Sequence, residues 1–487
     1  MTFTKTTDKF KRAVEVAPAP DLRESVIACR NSQGAAVKGS LLRLTRYSVV
    51  FEIYSPYSII QLSEVLRDFQ IFLGNRMVYQ GRAVVSSLVN TGILMVCEAS
   101  LDEAWVDIDF LDRRRGQHQL RDQFESFIEE WKRIHTVLDG FKVVVADLQT
   151  LFVGLQQWLS QVELGLRSVT SGSRRELEHE VFDQIESGIL ERTASLLQHF
   201  ESVAAEVPPD QVSIHKTYVR RQIHPVVLCA PFVYRSYEKP LGYAGDYEMV
   251  NMMLRDPYEG SSLFAKALNY VFLEAPPVQA HRNRIAYLER ILEQEVIRVQ
   301  SSGRRAAIYN LGCGPAQEVE HFVDHSPAAD FADFTLLDFN RETVEFVRTR
   351  LDRLLQRRER DTRIEVVERS VHQILKDSVH LAAHPSGPAW DVIYCAGLFD
   401  YLSERVCAHL LEVFYRQLTP GGLIVATNVS DNNPSRRWME FVVEWNLIYR
   451  NEKQLLELVA PERRATASVR PDSTGVNLFL EIRKGER

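Results

Sequence analysis

The chain is short of cysteine, and none of its cysteines is spaced for a metal or a redox pair. Six occur in 487 residues, Cys29, Cys97, Cys229, Cys313, Cys395 and Cys407. No two stand at C-x-x-C spacing, which excludes the usual zinc and thiol–disulfide motifs. Scattered free thiols suit a reducing cytosol. Long apolar runs are absent too: no stretch reaches the roughly eighteen residues of a membrane span. The opening MTFTKTTDKFKRAVEVAPAPD lacks the apolar core of a signal peptide. Positive charge is not in excess, since 58 Lys+Arg face 65 Asp+Glu for a net charge of −7, which argues against an obligate nucleic-acid binder. The expectation is a cytoplasmic, metal-independent protein with no nucleic-acid partner and no transmembrane segment. What is present, 45% hydrophobic and 25% charged residues, is the composition of a globular chain, and its length implies two or three domains.

Three regions precede the chemistry. In residues 38–110, KGSLLRLTRYSVVFEIYS and RMVYQGRAVVSSLVNTGILMVCEASL carry β-branched and aromatic residues in partial alternation, the pattern of strands. Several short strands in succession indicate a small barrel or sandwich. Apolar residues then recur at alternating steps of four and three, from Phe127, Trp131, Ile134, Leu138 and Phe141 through Val145, Leu148, Phe152, Leu155, Leu159, Val162 and Leu166 to Val169. That is a heptad pattern on a long helix. Gly140 and Gly154 weaken it by about 1 kcal/mol each relative to Ala. A second helix is expected over residues 174–205, with Ser171-Gly172-Ser173 as the turn. The pair forms either an intramolecular bundle or a homodimer interface. Residues 207–280 link these helices to the C-terminal region and contain YRSYEKPLGYAGDYEMVN, Tyr234 to Asn251. Pro240, Gly242 and Gly245 mark turns there. Four tyrosines on a glycine-bearing loop suit a lid over a ligand, with Asp246 as the N-cap of a following helix and Tyr243 projecting into the site.

The chemistry lies further on. AAIYNLGCGPAQEVEHFV (306–323) is a strand, a glycine turn and a helix. Glycines let the backbone approach a ligand closely, and a helix start offers free N–H groups. Gln317 stands where a dinucleotide fingerprint would have its third glycine. The next strand, DFTLLDFN, ends in Asp338, 26 residues after Gly312, where a carboxylate can accept two hydrogen bonds from ribose hydroxyls. A third strand, RIEVVERSV, ends near Ser370 and Val371. A fourth, WDVIYCAGLFDYLS, reaches Cys395-Ala396-Gly397. LTPGGLIVATNVS then places Gly421 and Gly422 before a buried strand.

In this order the N-L-G-C-G-P turn, Asp338, the two strand ends and the L-T-P-G-G-L-I-V segment resemble the class I S-adenosylmethionine-dependent methyltransferases, over roughly residues 280–487. The resemblance implies S-adenosyl-L-methionine as cofactor, held by Asn310, Gly312, Cys313, Gly314, Asp338, Phe339, Ser370, Val371, Cys395, Ala396 and Gly397, with Phe339 flanking the adenine. The β region resembles the PilZ-type barrels. Arg43 and Arg46 are too close for that family's R-x-x-x-R, and no [DN]-x-S-x-x-G follows, so the barrel is expected to serve contacts. HPVVLCAPFVYRSYEKPLGYAGDYEMVNMML, with this barrel and this core, is similar to the bacterial methyltransferases that make 3-hydroxypalmitic acid methyl ester, a quorum-sensing signal.

That narrower resemblance implies methyl transfer to the carboxylate of a 3-hydroxy fatty acid, free or carrier-bound. A free carboxylate is already ionised at neutral pH, so no general base is demanded. Tyr243, Asn428 and Tyr449 are the candidate groups that orient it. The expected fold class is multi-domain. A small N-terminal PilZ-like β-barrel occupies 1–115, a long helical hairpin or coiled-coil region 116–206 and a linker and lid 207–280. A C-terminal α/β Rossmann-like methyltransferase domain occupies 281–487. A different small-molecule or protein acceptor, or a non-catalytic PilZ-type regulator, stays open at this point.

Overall fold

The computed structural model describes residues 25–45, 47–53, 60–73, 76–90, 95–102, 136–166, 171–371, 373–375 and 389–486, with isolated positions between 125 and 132. The alternating N-terminal segments form six strands, β1 (Val26–Arg30), β2 (Ala36–Leu44), β3 (Ser48–Ile53), β4 (Val65–Leu73), β5 (Arg76–Asn90) and β6 (Met95–Leu101). They close into a barrel in the order β1-β2-β3-β6-β5-β4. The two-residue period turns Ile27, Cys29, Val37, Val49, Phe51, Phe69, Ile71, Cys97 and Ala99 inward, and closure leaves no free sheet edge. Arg43 pairs with Glu98 at 3.2 Å on the barrel; Arg46 lies outside the described residues.

The heptad run folds as the helix Asp139–Leu166, with Phe141, Val145, Leu148, Phe152 and Leu159 buried. Phe127, Trp131, Ile134 and Val169 lie outside the described residues. This helix packs on Ser171–Ala205 and on Val212–Val227. Ser171–Ser173, expected as the turn, are instead the first residues of the second helix. Residues 207–280 are mostly helical as well, as Val212–Val227, Pro231–Glu238, Tyr247–Leu254 and Leu263–Leu273. They join a single apolar core that also takes in Trp438, Phe441, Val442 and Val443 of the C-terminal region. Phe141 sits at its centre, with ring centroids 5.5 Å from Phe200 and 6.0 Å from Phe441. The middle region is therefore built into the body of the molecule.

The C-terminal sheet has seven strands, β7 (Ala306–Leu311), β8 (Ala332–Asp338), β9 (Arg363–Glu368), β10 (Trp390–Cys395), β11 (Leu418–Val429), β12 (Ala467–Pro471) and β13 (Asn477–Arg483). Their order is β12-β13-β11-β10-β7-β8-β9. Pairings from β9 across to β11 are parallel, while β13 runs antiparallel to both its neighbours. Alternation divides the side chains between two cores. Ile308, Val392 and Tyr394 face the helices Pro276–Gln300, Gln317–His325 and Arg341–Arg358. Leu311, Ile393 and Cys395 face Glu404–Gln417 and Leu455. Among the described residues no helix is long and apolar enough to cross a membrane.

Barrel and C-terminal region meet directly. The Val65 N–H donates to the Gly242 carbonyl at 2.7 Å, and Arg67 donates to Pro240 O at 2.7 Å. Ser63 donates to the Asn446 carbonyl at 2.9 Å and accepts from its N–H. Beside this seam lies a buried charge cluster. Glu444 pairs with Arg220 at 2.6 Å and with Arg82 of the barrel at 3.5 Å, and the Arg82 guanidinium lies 4.9 Å from the centre of the Tyr237 ring. Burial alone would raise the Glu444 pKa, but Arg220, Arg82, Lys239 and Lys216 bring it down to about 2.

Candidate active site

In an open α/β sheet ligands bind at the carboxyl ends of the strands, where the order reverses. Here β7 and β10 are neighbours and their chain connections run to opposite sides, so the crevice opens between Leu311 and Cys395. A cavity is found there. Its walls include the glycine turn, Asp338, Phe339, Ala396 and Gly397, and then continue into apolar residues such as Met249, Met253, Phe272, Val278 and Trp438.

Gly312 and Gly314 hold φ of 75° and 51°, a left-handed region that favours glycine. The turn is fastened by Gly312 N–H and Cys313 N–H to the Leu337 carbonyl at 2.8 and 2.9 Å. Asp338 receives the N–H of Gly314 at 3.1 Å and of Asn340 at 2.9 Å. Burial raises its pKa to about 6, against the lowering effect of those N–H groups. Each carboxylate oxygen keeps acceptor capacity beyond its one N–H, and the side chain faces the cavity. Asn310 is buried at the strand end and donates to Glu318 at 3.2 Å.

The Tyr234–Asn251 segment lies over this opening. Gly242 and Gly245 have φ of 89° and 79°, and Asp246 caps the helix Tyr247–Leu254 by accepting the Met249 N–H at 2.8 Å. Tyr243, Ala244, Gly245 and Tyr247 all line the cavity. The Tyr243 ring stands 4.9 Å from Phe339, and its hydroxyl is 3.5 Å from Thr343 Oγ1. Burial, reinforced by Asp338, pushes the Tyr243 phenol well above its ordinary pKa, so it stays neutral and can donate. Tyr401 ties the segment down by donating to the Ala244 carbonyl at 3.3 Å while accepting from Trp445 Nε1 at 2.8 Å. Gln61 and Leu62, in the barrel's β3–β4 connection, reach the same cavity.

Asn310, Gly312, Cys313, Gly314, Asp338, Phe339, Ala396, Gly397 and Tyr243 therefore share one wall. Five other sequence candidates are placed elsewhere. Asn428 donates to the Val429 and Ile448 carbonyls at 2.9 Å each and accepts from Arg450, so its amide is used within the fold. Tyr449 is half-buried, with the Arg436 guanidinium 4.4 Å from its ring centre. Cys395 points into the core on the opposite sheet face from Tyr394, as alternation requires. Ser370 bonds Gln373 at the start of a short helical turn, and Val371 packs in the Cys395 core.

The reading by motifs missed Arg284, His281, Asp400, Tyr401 and Asn477, which also line the cavity, as does Trp445 of the W-N-L-I-Y-R segment, a candidate for orienting the acceptor. Arg284 comes from the helix Pro276–Gln300. Its guanidinium contacts His281 Nδ1 at 2.9 Å and makes no salt bridge among the described residues; burial lowers its pKa, with Asp400 and Glu318 opposing from longer range. Nothing in H-R-N-R on an amphipathic helix distinguishes this arginine from its solvated neighbours.

No protein-family model matches the chain, and no curated protein matches it. Among solved structures, it is similar to a possible exported protein of Bordetella parapertussis at 16% identity, covering 62% of this chain and 97% of that one, with a TM-score of 0.39. It is similar to the N-methyltransferase NodS of Bradyrhizobium japonicum in complex with S-adenosyl-L-homocysteine, at 16% identity, 51% and 98% coverage and a TM-score of 0.30. A third is the magnesium protoporphyrin IX methyltransferase ChlM of Synechocystis with bound S-adenosylhomocysteine, at 8% identity, 55% and 99% coverage and a TM-score of 0.32.

Proposed function

We propose that this chain is an S-adenosylmethionine-dependent O-methyltransferase that esterifies the carboxylate of a 3-hydroxy fatty acid, giving a methyl-ester quorum-sensing signal. The observation that carries the reading is one cavity with two characters. Its cofactor end is a glycine turn beside a buried carboxylate, Asp338. Its other walls are apolar, with one guanidinium, Arg284, that has no carboxylate partner among the described residues.

The residues present fit a nucleoside cofactor. Gly312 and Gly314 put bare backbone against the ligand, Asp338 retains acceptor capacity for ribose hydroxyls, and Ala396 and Gly397 leave the methyl-transfer region uncrowded. When bound, S-adenosylmethionine supplies a sulfonium methyl group, and its carbon–sulfur bond breaks as the bond to the acceptor oxygen forms. Arg284 draws an anionic headgroup into an otherwise apolar space. Tyr243 donates to an acceptor oxygen without removing a proton. Phe272, Trp438 and the methionines strip water from the carboxylate, which makes it a stronger nucleophile. No side chain has to act as a base, because a carboxylic acid is already ionised.

A homodimer through the long helix belongs to the same proposal, since Val143, Trp158 and Leu164 leave apolar surface exposed along it. The direct experiment uses S-adenosylmethionine labelled in its methyl group with 3-hydroxyhexadecanoate. Label in the organic phase as a base-labile ester supports the reading; label retained in protein or in a water-soluble product overturns it.

A further inference from the structure

Asn477 opens β13, facing Val429 across the β11 pairing, and it is 3% exposed. Its backbone is fully engaged: the N–H donates to Asp472 Oδ1 at 3.0 Å, and the carbonyl accepts from Asp472 N–H at 2.8 Å. The hairpin is also tied to the helix that carries Arg284, because Asn283 donates to Asp472 at 2.7 Å. Yet both polar atoms of the Asn477 side chain, Nδ2 and Oδ1, have no partner in the protein, and the residue lines the cavity.

A buried amide left unpaired is unfavourable by the full desolvation of its groups, and an apolar side chain of like size would avoid that. The hairpin does not need the amide, so its complement lies in the cavity. Position excludes the ribose end of the cofactor: β13 is four strands from β8, roughly 19 Å at about 4.8 Å per strand. It lies beyond β11, on the side of the crevice left to the acceptor. Chemistry narrows the partner further. A carboxylate would satisfy only Nδ2 and would repel Oδ1, whereas a hydroxyl accepts from one and donates to the other.

We infer that Asn477 is the positioning residue that recognises a hydroxyl group on the methyl acceptor. The inference rests on the proposed fatty-acid acceptor and adds what selects among such acids. A site built to hydrogen-bond a hydroxyl rejects the analogue that lacks it far more strongly than an apolar wall discriminates by size.

The test compares kcat/KM for 3-hydroxyhexadecanoate and hexadecanoate in wild type, Asn477→Leu and Asn477→Val, with S-adenosylhomocysteine affinity measured by calorimetry. The wild type is expected to favour the hydroxy acid by at least about tenfold. Both variants should bring that ratio close to one while S-adenosylhomocysteine binds as before. A merely structural role would lower both rates together and leave the ratio. A ratio unchanged in whichever variant folds, or a loss of cofactor affinity in step with the ratio, overturns the inference and leaves the acceptor reading standing. A wild type that methylates both acids equally also overturns it alone. A wild type that methylates neither overturns the acceptor reading, and the inference with it.

Discussion

A Cβ at Gly397 would stand 2.8 Å from Nη1 of Arg284, so a side chain at the end of β10 would displace this guanidinium. Gly397 also holds φ of 84°, and its N–H donates to Thr427 Oγ1 at 2.8 Å. The strand end and the helix Pro276–Gln300 therefore position the cation jointly, although 113 residues separate the two in sequence.

Arg284→Met keeps the side-chain stem and removes the charge. Loss of one charge-assisted hydrogen bond, worth about 1.5–3 kcal/mol, should lower methyl-transfer kcat/KM by roughly ten- to a hundredfold. Removing a half-buried cation that has no carboxylate partner should leave the melting temperature equal or higher. Scanning calorimetry beside steady-state kinetics separates the two effects. An unchanged rate would remove Arg284 from the site.

Asp338 should make cofactor binding pH-dependent. Its raised pKa, about 6, means that the ligand-free carboxyl is protonated below that value, whereas two ribose hydroxyls require the ionised form. S-adenosylhomocysteine affinity should rise with pH through about 6 and then level off. The sign for folding is opposite: a folded pKa above the unfolded one, about 3.9, contributes stability at low pH that is lost as pH rises from about 4 to 6. Asp338→Ala should weaken binding by about 1–3 kcal/mol and flatten the profile, both readable by titration calorimetry.

Tyr243 should show a graded loss. Tyr243→Phe keeps the ring beside Phe339 and loses the hydroxyl, while Tyr243→Ala loses both, so methyl transfer should fall further in Ala than in Phe with circular dichroism unchanged. Equal activity in wild type and Tyr243→Ala would reduce the Tyr234–Asn251 segment to a structural connection.

The Glu444 cluster predicts acid sensitivity. With a folded pKa of about 2 and an unfolded value near about 4.3, its stabilisation is complete above that unfolded value and is lost as pH falls toward 2. Glu444→Gln leaves Arg220 without its anion, while Arg82 keeps Asp102 at 2.9 Å, and should cost about 3–5 kcal/mol at neutral pH, with a flatter acid limb in thermal melts.

Trp158, 50% exposed, tests the assembly. If the long helix pairs with a second copy, wild type should scatter as a dimer and Trp158→Glu as a monomer with an unchanged melting profile at high concentration. Identical masses would take this face out of any interface.

What local chemistry controls was legible in the sequence. The glycine turn at 312–314 and the acidic end of β8 follow from backbone conformations and strand periodicity within a few dozen residues. The same holds for the Asp246 cap, the barrel's alternation and the buried stripe from Phe141 to Leu159. Tertiary structure decided which polar groups face the cavity. Asn428 and Asn477 both belong to strands ending at the same edge, yet one amide is consumed by Ile448 and Arg450 and the other is left unpaired. Hydrogen-bond satisfaction depends on partners brought from tens or hundreds of residues away, so no motif distinguishes the two. The same reason hid Arg284, whose isolation from carboxylates exists only once the helix Pro276–Gln300 lies across the ends of β7 and β10. It also hid the barrel's contribution, because Leu62 and Val65 reach the cavity and Gly242 only when the barrel is docked beside the C-terminal sheet.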